Sequence, residues 1–189
     1  MALLDIHLLG SPVLRERTAP VAAFTPGITD ELRRLAEDMF ETMHAAKGIG
    51  LAAPQVGRRE RLFVAEVDEQ RIVLVNPEVV LAEGKAKGEE GCLSIPEVYG
   101  DVERAARVVM RGLDARGEPV EVDGTGLLAR CLLHELDHLD GRLFLDHLSM
   151  FKKRSALARW ERERARYPAL RRAVVAPREL AAQHNDEAL

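Results

Sequence analysis

His134-Glu135-Leu136-Asp137-His138 lies inside the run TGLLARCLLHELDHLDG (Thr125–Gly141), and the reading of that run decides the fold. At helical spacing Leu127, Cys131, His134 and His138 share one face, and Leu128, Leu132 and Leu139 share another. A helix apolar on two sides is a buried one, and Gly141 is placed to cap its end. Two imidazoles four residues apart stand about one turn apart, because a helix advances ~3.6 residues per turn. That spacing suits two ligands of one metal ion, with Glu135 turned toward water at the metal rather than binding the metal itself. The competing reading is a buried amphipathic helix whose two histidines bond to backbone carbonyls.

A metal among buried residues needs charge compensation, which a thiolate supplies. Cys92 is the candidate: Gly91-Cys92-Leu93-Ser94 lies between glycines and Pro96, so its backbone can bend to aim a sulfur at the helix. Cys131 is the competing thiol, on the ligand face one turn before His134, and reads as a small core residue. His, His and Cys make three protein ligands and leave the fourth tetrahedral position for water. A structural zinc would show four ligands and paired CxxC motifs, which are absent.

A third segment, Gly48-Ile49-Gly50-Leu51-Ala52-Ala53-Pro54-Gln55, is uncharged and glycine-rich and follows a strongly periodic helix. Its glycines permit close approach of backbone to a ligand, although Gly48 is equally a helix cap. Taken together, GIGLAAPQ, EGCLSIP and HELDH, in this order and spacing, resemble the three motifs of peptide deformylases. The resemblance runs from about Leu4 to Leu148. It implies hydrolysis of the N-formyl group from the N-terminal methionine of newly made polypeptides, with release of formate and a free amine. Carried over by position, Cys92, His134 and His138 would bind the metal and Glu135 would be general base and acid. Gln55 and the Leu93 backbone N–H would donate to the oxyanion. The Gly48-Ile49-Gly50 backbone would pair with the substrate as an added strand. Leu93, Ile49 and Leu133 are expected to line an apolar pocket for the methionine. The resemblance further implies Fe2+ as the metal, with Zn2+, Ni2+ or Co2+ as substitutes, although a thiolate with two imidazoles suits zinc by ligand chemistry. In one place the chain departs from the pattern: Glu97-Val98-Tyr99-Gly100 follows Pro96, where some deformylases carry an arginine near Tyr99 that meets the substrate.

The expected architecture is α+β: antiparallel sheets packed around a central metal-binding helix, with a C-terminal helix. Ile28, Leu32, Leu35, Met39 and Met43 mark a first helix ending near Lys47. Leu62–Ala65 and Ile72–Val75 read as strands joined at Asp68-Glu69-Gln70, and Val108–Met110 with Val120–Val122 as a hairpin around Ala115-Arg116-Gly117. A chain of 189 residues suits one domain, with residues 1–150 as the catalytic part and 151–189 as its basic helix and tail. Residues 1–150 carry a balance of −9 and residues 151–189 of +5, which add to the overall −4. FKKRSALARWERERAR (Phe151–Arg166) is expected to be a basic helix anchored by Leu157 and Trp160. It is either a solvated face or a contact with ribosomal RNA. Beyond Tyr167-Pro168 the tail, ending QHNDEAL, is expected to be partly disordered.

No apolar run approaches the ~18 residues of a membrane span. Asp5 and His7 leave no signal-peptide core. Two cysteines suit a reducing cytosol, so the cytoplasm is the expected compartment and DNA is not an expected partner. Three other readings stay open: a zinc endopeptidase with His147 as a further ligand, a deformylase-like module without catalysis, and a structural-metal domain.

Overall fold

The protein's structure, a computed structural model, describes residues 2–22 and 24–175, the side chains of residues 26–28 excepted. The end of the tail and the place of Ile28 on its helix face lie outside the described residues. The expected α+β arrangement holds: the named strands pair antiparallel, and three helices pack on them.

The first strand, β1, is Ile6–His7, and the first helix, α1, is Pro26–Ala45. There follow β2 (Gly50–Ala52), β3 (Leu62–Val67) and β4 (Gln70–Glu83). β3 and β4 are joined at Asp68 and Glu69, both with positive φ (51° and 63°), the turn whose twist matches that of paired strands. β4, 14 residues long, is far longer than the four apolar residues that predict it. Its irregular register between Val75 and Glu78 is held by Asn76, whose amide pairs with both backbone groups of Val21. Next come β5 (Ala86–Cys92), β6 (Ile95–Arg104), β7 (Arg107–Leu113) and β8 (Pro119–Thr125). The buried motif helix is α2, Gly126–Leu139. Its end is closed as expected by Gly141, at φ 70°, with its N–H donating to the His138 carbonyl.

Five strands make the main sheet in the order β2-β3-β4-β7-β8. Side chains alternate along β3 and so divide the core in two. Phe63, Ala65 and Val67 pack with Ala129, Cys131, Leu132 and Leu139 of α2. Leu62 and Val64 pack on the opposite face with Leu35, Met39, Phe40 and Met43 of α1. Helix α2 is therefore buried by the sheet on one side. The β5–β6 hairpin walls its ligand face.

The helix that follows the motif helix, α3 (Met150–Glu163), packs on that hairpin. Trp160 is buried among Val98, Val102 and Phe144, as expected. Leu157, the other expected anchor, is exposed, and Ala156 is buried in its place. Residues 156 and 160 are four apart and share a face; residue 157 is turned about 100° away from residue 156. The chain after α3 is described as far as residue 175, and the rest of the tail, expected to be partly disordered, lies outside the described residues. Trp160 and Tyr167 stack at 6.3 Å, and a last strand, β9 (Arg171–Arg172), pairs with β1. No helix among the described residues is long and apolar enough to cross a membrane.

Candidate active site

Cys92 ends β5, and the two-residue turn Leu93-Ser94 sends the chain back through Ile95, which pairs with Cys92. This hairpin aims the sulfur at α2: Cys92 Sγ lies 3.2 Å from His138 Nε2. The ligand atoms of Cys92, His134 and His138 all fall within 4.8 Å of one another. Cys131 stays outside that group. Its thiol donates weakly to the Ile49 carbonyl at 3.5 Å, and burial, with Glu135 and Glu90 beside it, pushes its pKa well up. A thiol held protonated is a poor ligand. His147 is also outside the group, with Nε2 2.7 Å from Asp137 Oδ2.

The orientation of His134 is set by a residue that sequence reasoning missed. Glu90 Oε2 lies 2.9 Å from His134 Nδ1. Arg104 donates to both oxygens of Glu90 (2.8 and 2.9 Å), and Arg130 adds a third bond at 2.8 Å. Burial works against the Glu90 carboxylate, but its bonds to Arg104 and His134 outweigh that and hold its pKa well below the usual range. An ionised Glu90 can only accept, so His134 Nδ1–H donates and Nε2 is left for Cys92 and His138. Burial opposes the charged ring, but the bonds to Cys92 and Glu90 outweigh it and raise the His134 pKa well above the ordinary value, so a metal would displace a proton from Nε2. Arg104 also donates to Asp137 at 2.5 Å, tying the hairpin to α2 at a second point. Burial, with His134 alongside, keeps His138 well below the ordinary histidine value and hence neutral.

These residues fit a divalent metal. The donor set is one sulfur and two imidazole nitrogens, converging from two elements with a carboxylate steering one imidazole. Among the described residues two buried side-chain atoms have no hydrogen-bond partner, Glu135 Oε2 and His138 Nδ1. A buried carboxylate oxygen without a donor is costly, and water at a metal beside it would satisfy it. Burial pushes the Glu135 carboxyl up to about 7, with His134 opposing and Glu90 reinforcing the shift. That value is well placed for a group exchanging protons near neutrality.

The remaining motif joins the same cavity, which is about 490 Å³ and is lined by Gly48, Ile49, Gly50, Gln55, Cys92, Leu93, His134 and Glu135 among others. Gln55 is buried; its Oε1 accepts from the Ala52 N–H (2.8 Å), which turns Nε2 toward Ser94 Oγ (3.2 Å) and Cys92 Sγ (3.6 Å). β2 is the end strand of the main sheet, so its outer edge is not paired within that sheet. Gly50 lies against Glu135: a Cβ there would stand 2.8 Å from the carboxylate carbon. Leu133 is absent from the wall and packs on the core instead, while Leu127, 55% exposed, takes part in the lining. Leu127 precedes Cys131 and His134 by four and seven residues and so shares their face; Leu133 does not.

Comparison with known proteins gives one answer. The family of polypeptide deformylases matches residues 3–154. A peptide deformylase of Alkalilimnicola ehrlichii is 52% identical over 158 residues, covering 82% of this chain and 86% of the relative. One of Hydrogenovibrio crunogenus is 46% identical over 165 residues, covering 86% and 95%. Among solved structures, a peptide deformylase from Legionella pneumophila aligns with a TM-score of 0.78 and 44% identity, over 88% of this chain and 100% of that one. The peptide deformylase of Synechococcus elongatus in complex with actinonin aligns at 0.77 and 42% identity, over 84% and 86%.

Proposed function

Since this chain belongs to the polypeptide deformylase family, we propose that it removes the N-formyl group from the N-terminal methionine of new polypeptides by metal-dependent hydrolysis, releasing formate. The observation that carries this reading is the convergence of Glu135, Gln55 and the Cys92-His134-His138 group on one cavity beside the open edge of β2. Cys92, His134 and His138 would hold the metal. When bound, a divalent ion supplies Lewis acidity and lowers the pKa of a water to ~7. We take Fe2+ as the working ion.

In this mechanism Glu135 accepts a proton from the attacking water and returns it to the departing amine nitrogen, the C–N bond of the formamide breaking as a C–O bond forms. Negative charge gathers on the former formyl oxygen. Gln55 Nε2 and the Leu93 N–H donate to it, each such donor being worth ~3 kcal/mol in acyl transfer. The substrate backbone pairs along Gly48-Ile49-Gly50, so the enzyme reads main chain and tolerates varied sequences. Ile49, Leu93 and Leu127 offer apolar surface for the methionine side chain. We assign residues 1–150 to catalysis and 151–189 to the same single domain. The cytoplasm is the compartment this substrate implies.

Phe151, Arg154, Arg159 and Arg162 form an exposed stripe on α3. None of the three arginines has an ion pair among the described residues. We assign that stripe to ribosome contact. The catalytic reading is tested by incubating the iron-loaded protein, purified without air, with formyl-Met-Ala-Ser. Formate and free amine should appear one to one. A metal-replete protein that releases no formate refutes it.

A further inference from the structure

The family match ends at residue 154, yet Arg172, on β9, reaches the wall of the active-site cavity. Its direction follows from the pairing of β9 with β1. Arg172 lies opposite Ile6, and directly paired residues on antiparallel strands point to the same side. Ile6 is fully buried, so Arg172 turns inward, while Arg171, one residue before it, is exposed. The strand is held in place by the stacking of Tyr167 on Trp160 and by Leu170, whose carbonyl accepts from the Leu8 N–H at 2.8 Å. Leu170 and Val174 pack on the cluster that contains Ile6, Leu8, Ala46 and Ile95.

That cluster also places Arg172 relative to the substrate. Ala46 belongs to it and is followed by Lys47 and Gly48, which line the same cavity. Glu89 and Glu97 also line the cavity that holds Gly48, Ile49 and Gly50, where the peptide is proposed to pair, and so do two cations, Lys47 and Arg172. Neither has an ion pair among the described residues. A partly buried guanidinium without a partner favours an anion that brings its own charge-assisted bonds.

We propose that Arg172 is a positioning residue for the peptide leaving the site, meeting a carboxylate side chain one or two residues after the formyl-methionine. The proposal rests on the deformylase reading. It makes the enzyme's sequence tolerance uneven, with acidic early residues favoured through binding.

The test uses the iron-loaded full chain and four peptides: formyl-Met-Glu-Ala, formyl-Met-Ala-Glu and their lysine counterparts. The wild type should show a higher kcat/KM for glutamate than for lysine at one of the two positions, and added salt should shrink the ratio. Arg172→Glu should shift that ratio by about tenfold toward lysine, the change appearing in KM, as expected for a charge at the edge of a binding site. Arg172→Lys should keep the wild-type preference. Arg172→Gln, which keeps the side-chain length without the charge, should bring the ratio to about one. Ratios within about twofold of wild type in both Arg172→Glu and Arg172→Gln overturn the proposal. Hydrolysis of formyl-Met amide by the wild type reports on the deformylase reading separately, so the two failures are distinct.

Discussion

Replacing Gly50 with alanine should impair the enzyme without replacing any side chain that does chemistry. Gly50 is not in the left-handed region, so alanine can adopt its backbone conformation and the effect is steric. The new Cβ would stand 2.8 Å from Glu135 Cδ, nearer still to Oε1, and 2.9 Å from Cys131 Sγ. Ordinary carbon–carbon contact is about 3.5 Å, so the carboxylate must recede by roughly 0.7 Å. Glu135 is buried on α2 between two proposed metal ligands' turns and has little room to rotate. A misplacement near 1 Å can cost ~10²-fold in rate, and we expect kcat to fall between ~10- and ~100-fold on that basis. Overpacking of ~1–3 kcal/mol should lower Tm by a few degrees, at ~2–4 °C per kcal/mol for a chain of this size. Metal content should hold, because the atoms nearest the new Cβ belong to Glu135 and Cys131 rather than to Cys92, His134 or His138. Removing the Cys131 sulfur in a Gly50→Ala, Cys131→Ala double variant should not restore the rate, since the closer contact is with Glu135. A Gly50→Ala protein with kcat within about threefold of wild type would refute the steric argument.

Glu135→Gln is expected to keep near-stoichiometric metal and a similar Tm while activity falls by ~10²-fold or more; loss of metal in that variant would make Glu135 a ligand or a structural partner instead. Cys92→Ser and His134→Ala should lose metal outright on elemental analysis, each removing one of three protein ligands. Matched reconstitutions should give high turnover with Fe2+, Ni2+ or Co2+ and little with Zn2+, and equal rates with zinc and iron would overturn the metal assignment. Exchanging Arg154, Arg159 and Arg162 for glutamate should reduce co-sedimentation with ribosomes and remove its salt dependence, because phosphate contacts release counterions; unchanged sedimentation would leave α3 a solvated face.

What could be read from the chain and what could not differ in one physical respect. His134, His138 and Cys92 were legible because metal chemistry restricts both the residue types and their spacing along one helix face. The same periodicity exposed the buried nature of α2, short apolar runs found β3, β4 and β7, and the alternating Val120-Glu121-Val122 found β8. Glu90 was hidden, since Glu89-Glu90 reads as a solvated charge pair, and the stretch Ala86–Cys92 (AKGEEGC) has neither alternation nor β-branched residues. It becomes a strand because β6 pairs with it, and Glu90 is buried because that pairing sets it under Arg104, Arg130 and His134. The strand after α3 was hidden for the same reason. Arg171-Arg172 has no strand signal of its own and is ordered by two residues of β1 and a stack on Trp160. Residues whose role is chemical announce themselves by type, whereas those whose role is to support a neighbour take their meaning from a partner 14 to 166 positions away. A search for further determinants of this site should therefore begin with buried or inward-facing charges on short, weakly patterned strands.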